Sequence, residues 1–471
     1  RGWYTVTILE RPRTVGELRA SGYQVLPVRE EMRKNLIAKM RSGDELFPGI
    51  YGYEETVIPH IVNAILAGQD IIFLGERGQA KSRIIRSLVS LLDDETPVLA
   101  GCEIPEDPFN PITQAGRDRI AEKGDDAALE WLPRDKRYGE KLATPDITIA
   151  DLIGEVDPIK VAEGRYLSDE LTIHYGLIPR TNRGVFCINE LPDLAERIQV
   201  GLLNIMEERD VQIRGYRIRL PLDVFIVASA NPEDYTNRGR IITPLKDRYG
   251  AQVRTHYPTK IEHEIGIMDA EHHPGPGDFA VVVPRYMKEV IAEISRLARR
   301  SPDVNQRSGV SVRASIANYE SMLANALRRA IVTGEETVVP RVSDLPFVIP
   351  ALSGKVEFET VEEGREDQII DKLIQGAVVA VFNRYFSLGE LDQVITRFKA
   401  GAAVEVGDMT PSGEYDSLAR QIEGIFPAIE KLGATGSAAE EASAVEFLLE
   451  GLHLNKRLNK DKVGGKTQYR G

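Results

Sequence analysis

The stretch Gly75-Glu76-Arg77-Gly78-Gln79-Ala80-Lys81-Ser82 decides the fold. It follows an apolar run at residues 70–74 and precedes an amphipathic stretch at 83–92, which is the strand, loop and helix context of a phosphate-binding loop. Glycines at 75 and 78 let backbone N–H groups curl around a phosphate, and the helix N-terminus adds partial positive charge. Lys81 and Ser82 then reach the γ-phosphate and Mg²⁺. Ala80 stands where a second invariant glycine is usual. Alanine suits that position if its backbone is already right-handed helical, so the expectation is that Ala80 has helical angles.

Working outward, short apolar or β-branched runs at 70–74, 97–100, 184–188, 224–229 and 251–255 alternate with amphipathic stretches. They predict an α/β domain over residues 46–258 with a mostly parallel five-stranded sheet covered by helices. Val185-Phe186-Cys187-Ile188-Asn189-Glu190 reads as a strand that delivers two polar residues at its end. Asn189 stands where an aspartate would hold the Mg²⁺ shell, and an amide oxygen can still accept a hydrogen bond from a metal-bound water. On that reading, Asn189→Asp leaves turnover equal or faster. Glu190, ionised beside the γ-phosphate, is placed to orient and deprotonate an attacking water. Val227-Ala228-Ser229-Ala230-Asn231-Pro232 presents Asn231 at a strand's carboxyl end, where open α/β sheets bind ligands. Arg248 and Arg313, taken singly, read as surface arginines.

The chain has 471 residues, and 59 Lys+Arg against 72 Asp+Glu leave a formal charge of −13, which argues against a general polyanion binder and a nucleic-acid partner. At 42% hydrophobic and 28% charged, a wholly disordered chain is excluded. The two cysteines, Cys102 and Cys187, form no Cys-x-x-Cys pair, so neither a disulfide framework nor a zinc ribbon is expected. No apolar stretch approaches the ~18 residues of a membrane span.

Around the α/β domain, residues 1–45 read as an N-terminal extension with a helix near 28–40. Residues 259–352 read as a helical lid, with Gly334 as a helix stop. Residues 353–454 read as a mostly helical C-terminal extension, and 455–471 as a disordered polar tail. Two weaker signals are set aside. His263 with His272-His273 reads as a solvated polar face. Asp408-Met409-Thr410-Pro411-Ser412 lacks the surrounding strands of a metal-adhesion domain.

Together these motifs, in this order over residues 49–352, resemble the AAA+ ATPases of the MoxR and magnesium-chelatase I-subunit group. In that resemblance Tyr51-Gly52-Tyr53-Glu54-Glu55 lies near the adenine side, and Gly75, Glu76, Arg77, Gly78, Gln79, Ala80, Lys81 and Ser82 form Walker A. Asn189 and Glu190 fall at Walker B, Asn231 at sensor 1, Arg248 at the arginine finger and Arg313 at sensor 2. Residues 151–157, with Gly164-Arg165 and Gly176-Leu177-Ile178, look like a chelatase-type insertion, and residues 211–218 look like a hairpin before sensor 1. The resemblance implies an ATP hydrolase using ATP and Mg²⁺, with Ser82 and Asn189 on the metal side. It also implies a cytoplasmic, hexameric ring and a protein client, often one bearing a von Willebrand A domain. A genuine magnesium-chelatase motor in tetrapyrrole synthesis, a nucleotide-gated scaffold with little hydrolysis, and a nucleic-acid motor using Arg209, Arg214, Arg217 and Arg219 stay open as alternatives.

Overall fold

The computed structural model describes residues 11–157, 159, 162, 170–208, 210–212, 219–231, 239–273, 275, 277–306, 308–359, 365–463 and 466–471. The chain divides into two compact units, one comprising Arg1–Glu76 with Ala80–His256, the other Arg77–Gln79 with Tyr257–Gly471.

The first unit is built on five strands: β1 (Ile71–Leu74), β2 (Tyr138–Leu142), β3 (Gly184–Asn189), β4 (Val224–Ala230) and β5 (Ala251–Arg254). Their order is β5-β1-β4-β3-β2, and every neighbouring pair is parallel. Strands of this kind are buried on both faces, which is why β1, β3 and β4 read as unbroken apolar runs. Ile72, Phe186, Ile226 and Ala228 face one layer, which includes Ile198, Leu202 and Ile205 of the helix Glu196–Glu208. Ile71, Phe73, Val185, Cys187 and Phe225 face the other, with Ile84 and Ile85 of the helix Lys81–Ser87.

One strand expectation is corrected. The run at 97–100 lies in Glu95–Leu99, which pairs antiparallel with Leu129–Pro133 in a separate two-stranded sheet. The fifth member of the main sheet is β2, an edge strand of sequence Tyr-Gly-Glu-Lys-Leu whose residues are half-buried or exposed. An edge strand needs no apolar run, so hydrophobic patterning passes over it. The N-terminal extension is also more than an appendage. Helix Val28–Ser42 buries Val28, Met32 and Leu36 in the same core as Ile71 and Phe73. Beside it, Arg137 donates to both carboxylate oxygens of Glu31, at 2.7 and 2.6 Å, with both side chains almost wholly buried.

The insertion forms a short helix, Ile149–Leu152, and an antiparallel pair, Gly154–Val156 with Ile173–Tyr175, while Gly164 and Arg165 lie outside the described residues. Strands Asp210–Gln212 and Arg219–Pro221 pair antiparallel, while residues 213–218, most of the hairpin expected over 211–218, lie outside the described residues. Its Arg214 and Arg217, and Arg209 before it, lie outside the described residues.

In the second unit, helix Val312–Thr333 ends at Gly334, whose φ of 72° is the left-handed conformation that glycine adopts without strain. A single core joins helix Arg285–Ala298 of the expected lid to Arg365–Tyr385 and Ala438–Leu454 of the expected extension, so the two share one interior. Tyr286 stacks on Phe447 at 4.6 Å, and its hydroxyl donates to Ser443 Oγ at 2.8 Å. The tail is not disordered. Asn459–Val463 and Lys466–Arg470 form a three-stranded antiparallel sheet with Ala403–Val406, and Lys466–Arg470 is the middle strand. Tyr469, buried to 3% exposure, anchors it by donating its hydroxyl to Glu450. Composition alone misread this segment because one well-placed aromatic outweighs its polar neighbours.

Of the signals set aside, His272, His273 and the stretch at 408–412 have partners of their own. His273 Nδ1 lies 2.7 Å from Glu320, and His272 Nδ1 lies 3.0 Å from the Met268 carbonyl. Where a metal-adhesion motif would hold a cation, the Arg341 guanidinium donates to Thr410 O at 2.7 Å and Ser412 Oγ at 2.6 Å. Among the described residues, no helix is long and apolar enough to cross a membrane.

Candidate nucleotide-binding site

The loop starts where β1 ends. Gly75 N donates to Ala230 O at 3.1 Å, continuing the β1–β4 ladder by one more rung. Gly78 has φ of 73°. Ala80, against expectation, is left-handed, with φ 57° and ψ 13°, and helix Lys81–Ser87 begins only after it. The position therefore keeps the backbone demand of a glycine, and an alanine there stores about 1–2 kcal/mol of strain. Helix propensity was the wrong guide because the residue stands just outside the helix.

Lys81, 7% exposed, folds its ammonium into the strand ends. Nζ donates to the Gly75 carbonyl, to Glu76 O at 2.7 Å and to Asn231 Oδ1 at 2.6 Å. Asn231, itself 2% exposed, turns its amide nitrogen to Glu190 Oε2 at 2.6 Å. The ends of three adjacent strands thus bring together Lys81, Asn231 and Glu190. Glu190 is also left-handed, with φ 55° and ψ 47°, and its N–H donates to Ser229 Oγ at 3.2 Å.

Asn189 behaves differently from expectation. Its amide nitrogen donates to Glu140 on β2, and its oxygen accepts from Ser229 Oγ at 3.1 Å and from Cys187 Sγ at 3.4 Å. That oxygen is already held by two protein donors. Glu140 also accepts from Arg86, Nε at 3.0 Å and Nη2 at 3.1 Å, and from the Tyr138 hydroxyl at 3.0 Å. Burial pushes the Glu140 carboxyl up, but hydrogen bonds from Arg86, Tyr138 and Asn189 prevail and hold it below the usual carboxylate range. Burial pushes the Cys187 thiol up to about 12.

Ser229, Glu140 and Arg86 escaped the sequence reading. Ser229 had a signal, since it lies two residues before Asn231 on one strand. Glu140 had none, because its reach to Asn189 from a place opposite Cys187 depends on β2 pairing with β3.

The donor set suits a nucleotide with Mg²⁺. Lys81 and the loop backbone fit phosphate, while the Ser82 hydroxyl, exposed at the start of its helix, and the Glu190 carboxylate are hard oxygen donors of the kind Mg²⁺ takes. Arg248, at the end of helix Thr243–Arg248, is held within its own unit. Its guanidinium donates to Glu207 and, through Nη1, to Pro244 O at 2.8 Å. Arg240 is exposed, and Arg238 lies outside the described residues. Arg313 is exposed in the first turn of helix Val312–Thr333 in the second unit.

No family model matches the chain. Among curated proteins it is similar to the magnesium-chelatase subunit ChlI of Nostoc sp., 28% identical over 217 residues, covering 45% of this chain and 54% of that one. The magnesium-chelatase 38 kDa subunit of Cereibacter sphaeroides is 26% identical over 235 residues, covering 48% of this chain and 65% of that one. The chloroplastic ChlI of Oryza sativa subsp. indica is 26% identical over 335 residues, covering 64% and 74%. The chain therefore spans about half to two thirds of the length of the first two relatives. Among solved structures, the BchI–BchD complex of magnesium chelatase aligns with a TM-score of 0.36 at 19% identity, covering 69% of this chain and 98% of that one, a superposition too loose to bear weight. A loop of phosphate-binding sequence after β1 and a five-stranded parallel sheet give the chain a P-loop fold of the AAA+ type, and in sequence it is similar to the magnesium-chelatase I subunits.

Proposed function

We propose that the chain binds Mg·ATP at residues 75–82, hydrolyses it within an oligomeric ring, hexameric as in the family, and uses the cycle to remodel a partner protein. The observation that carries this reading is the hydrogen-bonded line from Lys81 through Asn231 to Glu190. It supports the reading by holding the Lys81 ammonium and the Glu190 carboxylate on either side of one amide, as a phosphate-binding cation and a base would require. In this reading Lys81 and the loop N–H groups hold the β- and γ-phosphates, and Ser82 turns its hydroxyl to the metal. Glu190 orients a water and takes its proton, while Asn231 fixes the carboxylate until a phosphate competes for Lys81. Mg²⁺, when bound, neutralises charge on the phosphate oxygens. Arg248 serves the neighbouring subunit's pocket, and Arg313 its own. The client is a protein, in the family's manner one with a von Willebrand A domain, and the place of action is the cytoplasm.

Because the relatives are magnesium-chelatase subunits, a motor for metal insertion into a tetrapyrrole is the narrower form of the same reading. A different reading, a nucleotide-gated scaffold, is favoured by Asn189, whose missing charge weakens the metal side. Steady-state ATPase of the wild type against Glu190→Gln, with calorimetric nucleotide binding, separates them. A motor loses turnover and keeps binding, whereas a scaffold binds nucleotide in both forms and turns over in neither.

A further inference from the structure

The sheet register sets Leu142 beside Asn189 and Glu140 beside Cys187, so the Glu140 carboxylate lies on the neighbouring strand within reach of the Asn189 amide. From there a chain of hydrogen bonds leads inward. Asn189 Nδ2 donates to Glu140 Oε1, Ser229 Oγ donates to Asn189 Oδ1 at 3.1 Å, and Glu190 N donates to Ser229 Oγ at 3.2 Å. At the outer end Arg86, from the helix that follows the phosphate loop, clamps Glu140 through two nitrogens. Every donor in this line has one direction open to it, because a carboxylate only accepts and an ammonium or guanidinium only donates.

We infer that Glu140 is a positioning residue of the nucleotide site, and that Glu140 and Asn189 form an exchangeable acid–amide pair, with the acid on the edge strand β2 and the amide at the end of β3. Glu140 fixes which way the Asn189 amide faces. The amide oxygen then fixes Ser229, and Ser229 holds the backbone of Glu190 in its left-handed conformation. The kinetic part of this inference rests on the ATPase reading; the pairing itself does not.

The pair reverses the simple expectation for Asn189→Asp. An aspartate there sets a second carboxylate against Glu140 and removes the only donor between them, so the two acids repel. Glu140→Gln added to Asn189→Asp restores a donor, now running from residue 140 to residue 189.

The test uses four full-length proteins: wild type, Asn189→Asp, Glu140→Gln and the double variant. Thermal midpoints are measured without nucleotide, ADP affinity with and without Mg²⁺, and kcat at saturating ATP. Asn189→Asp is expected to melt lower and to lose about tenfold or more in kcat while its ADP affinity without Mg²⁺ stays unchanged. The double variant is expected to recover both the midpoint and most of the kcat. A buried group that served stability alone would move the midpoint and leave kcat per folded protein intact. An Asn189→Asp protein as stable and as fast as the wild type overturns the inference, and so does a double variant no better than Asn189→Asp in either measurement. Should the wild type itself turn over no ATP, the hydrolase reading falls, and the midpoints of the four proteins still decide whether residues 140 and 189 exchange as a pair.

Discussion

Asn231 lies 2.6 Å from both Lys81 Nζ and Glu190 Oε2, accepting from the first through its oxygen and donating to the second through its nitrogen. One amide thus couples the Lys81 ammonium to the Glu190 carboxylate, and neither can swing without disturbing the other. Asn231→Ala is expected to lower kcat about tenfold to a hundredfold with little change in nucleotide affinity. Parallel steady-state ATPase and calorimetry check it, and a loss confined to affinity would refute it.

Lys81→Ala removes the charge-assisted donor that a phosphate would meet. A loss of about 1.5–3 kcal/mol corresponds to roughly tenfold to a hundredfold in Kd for ATP. Titration calorimetry reads this directly, and unchanged affinity would show that the loop is not the nucleotide site.

Ala80→Gly replaces the residue at φ 57° by the one that adopts this angle freely. The expected result is a gain of about 1 kcal/mol in unfolding free energy of the first unit, seen as a higher denaturant midpoint. A loss would mean that the unfolded-state entropy of glycine outweighs the relieved strain.

Arg248 is tied to Glu207 within its own chain, so service to a neighbour requires that ion pair to open. Arg248→Ala and Lys81→Ala are each expected to be inactive alone and to regain part of their ATPase on mixing, because one sound loop then meets one sound arginine. Glu207→Ala is expected to keep or raise activity. Failure of mixed rings to recover, with co-assembly shown by native mass measurement, would place the finger elsewhere.

Both thiols are held in the neutral form. Burial pushes Cys187 up to about 12, and burial, aided by Glu106, pushes Cys102 up to about 11. A raised thiol pKa means less thiolate at a given pH, so alkylation by iodoacetamide at pH 8 should be far slower in the folded than in the unfolded protein. Rapid labelling of Cys187 in the folded chain would contradict its place under the sheet.

β1, β3 and β4 were legible because each is an apolar run buried on both faces, and the fourth expected strand, the edge strand β5, buries Val253. β2 was not, since an edge strand such as Tyr138–Leu142 carries polar residues at no cost. The same gap hid Glu140: spacing along the chain cannot say that the side chain of residue 140 meets that of residue 189, because strand order is a property of the closed sheet. Asn231 and Glu190 were found because each follows the end of a readable strand, and Lys81 because it closes the glycine-bearing loop after β1. The angle of Ala80 was misjudged since local propensity speaks for residues inside a helix, and this one lies at its threshold. The pairing of Lys466–Arg470 was missed because it depends on partners far away in sequence.

That middle strand has a consequence for how the protein is made. Ala403–Val406 has its ladder partner only after the intervening helices have left the ribosome, so during synthesis it waits as an open edge. Until Lys466–Arg470 arrives to close both ladders, two unpaired strands are available to other nascent chains. Slow translation or premature release in this region would therefore favour clumping and chaperone capture over a merely shortened, otherwise healthy product.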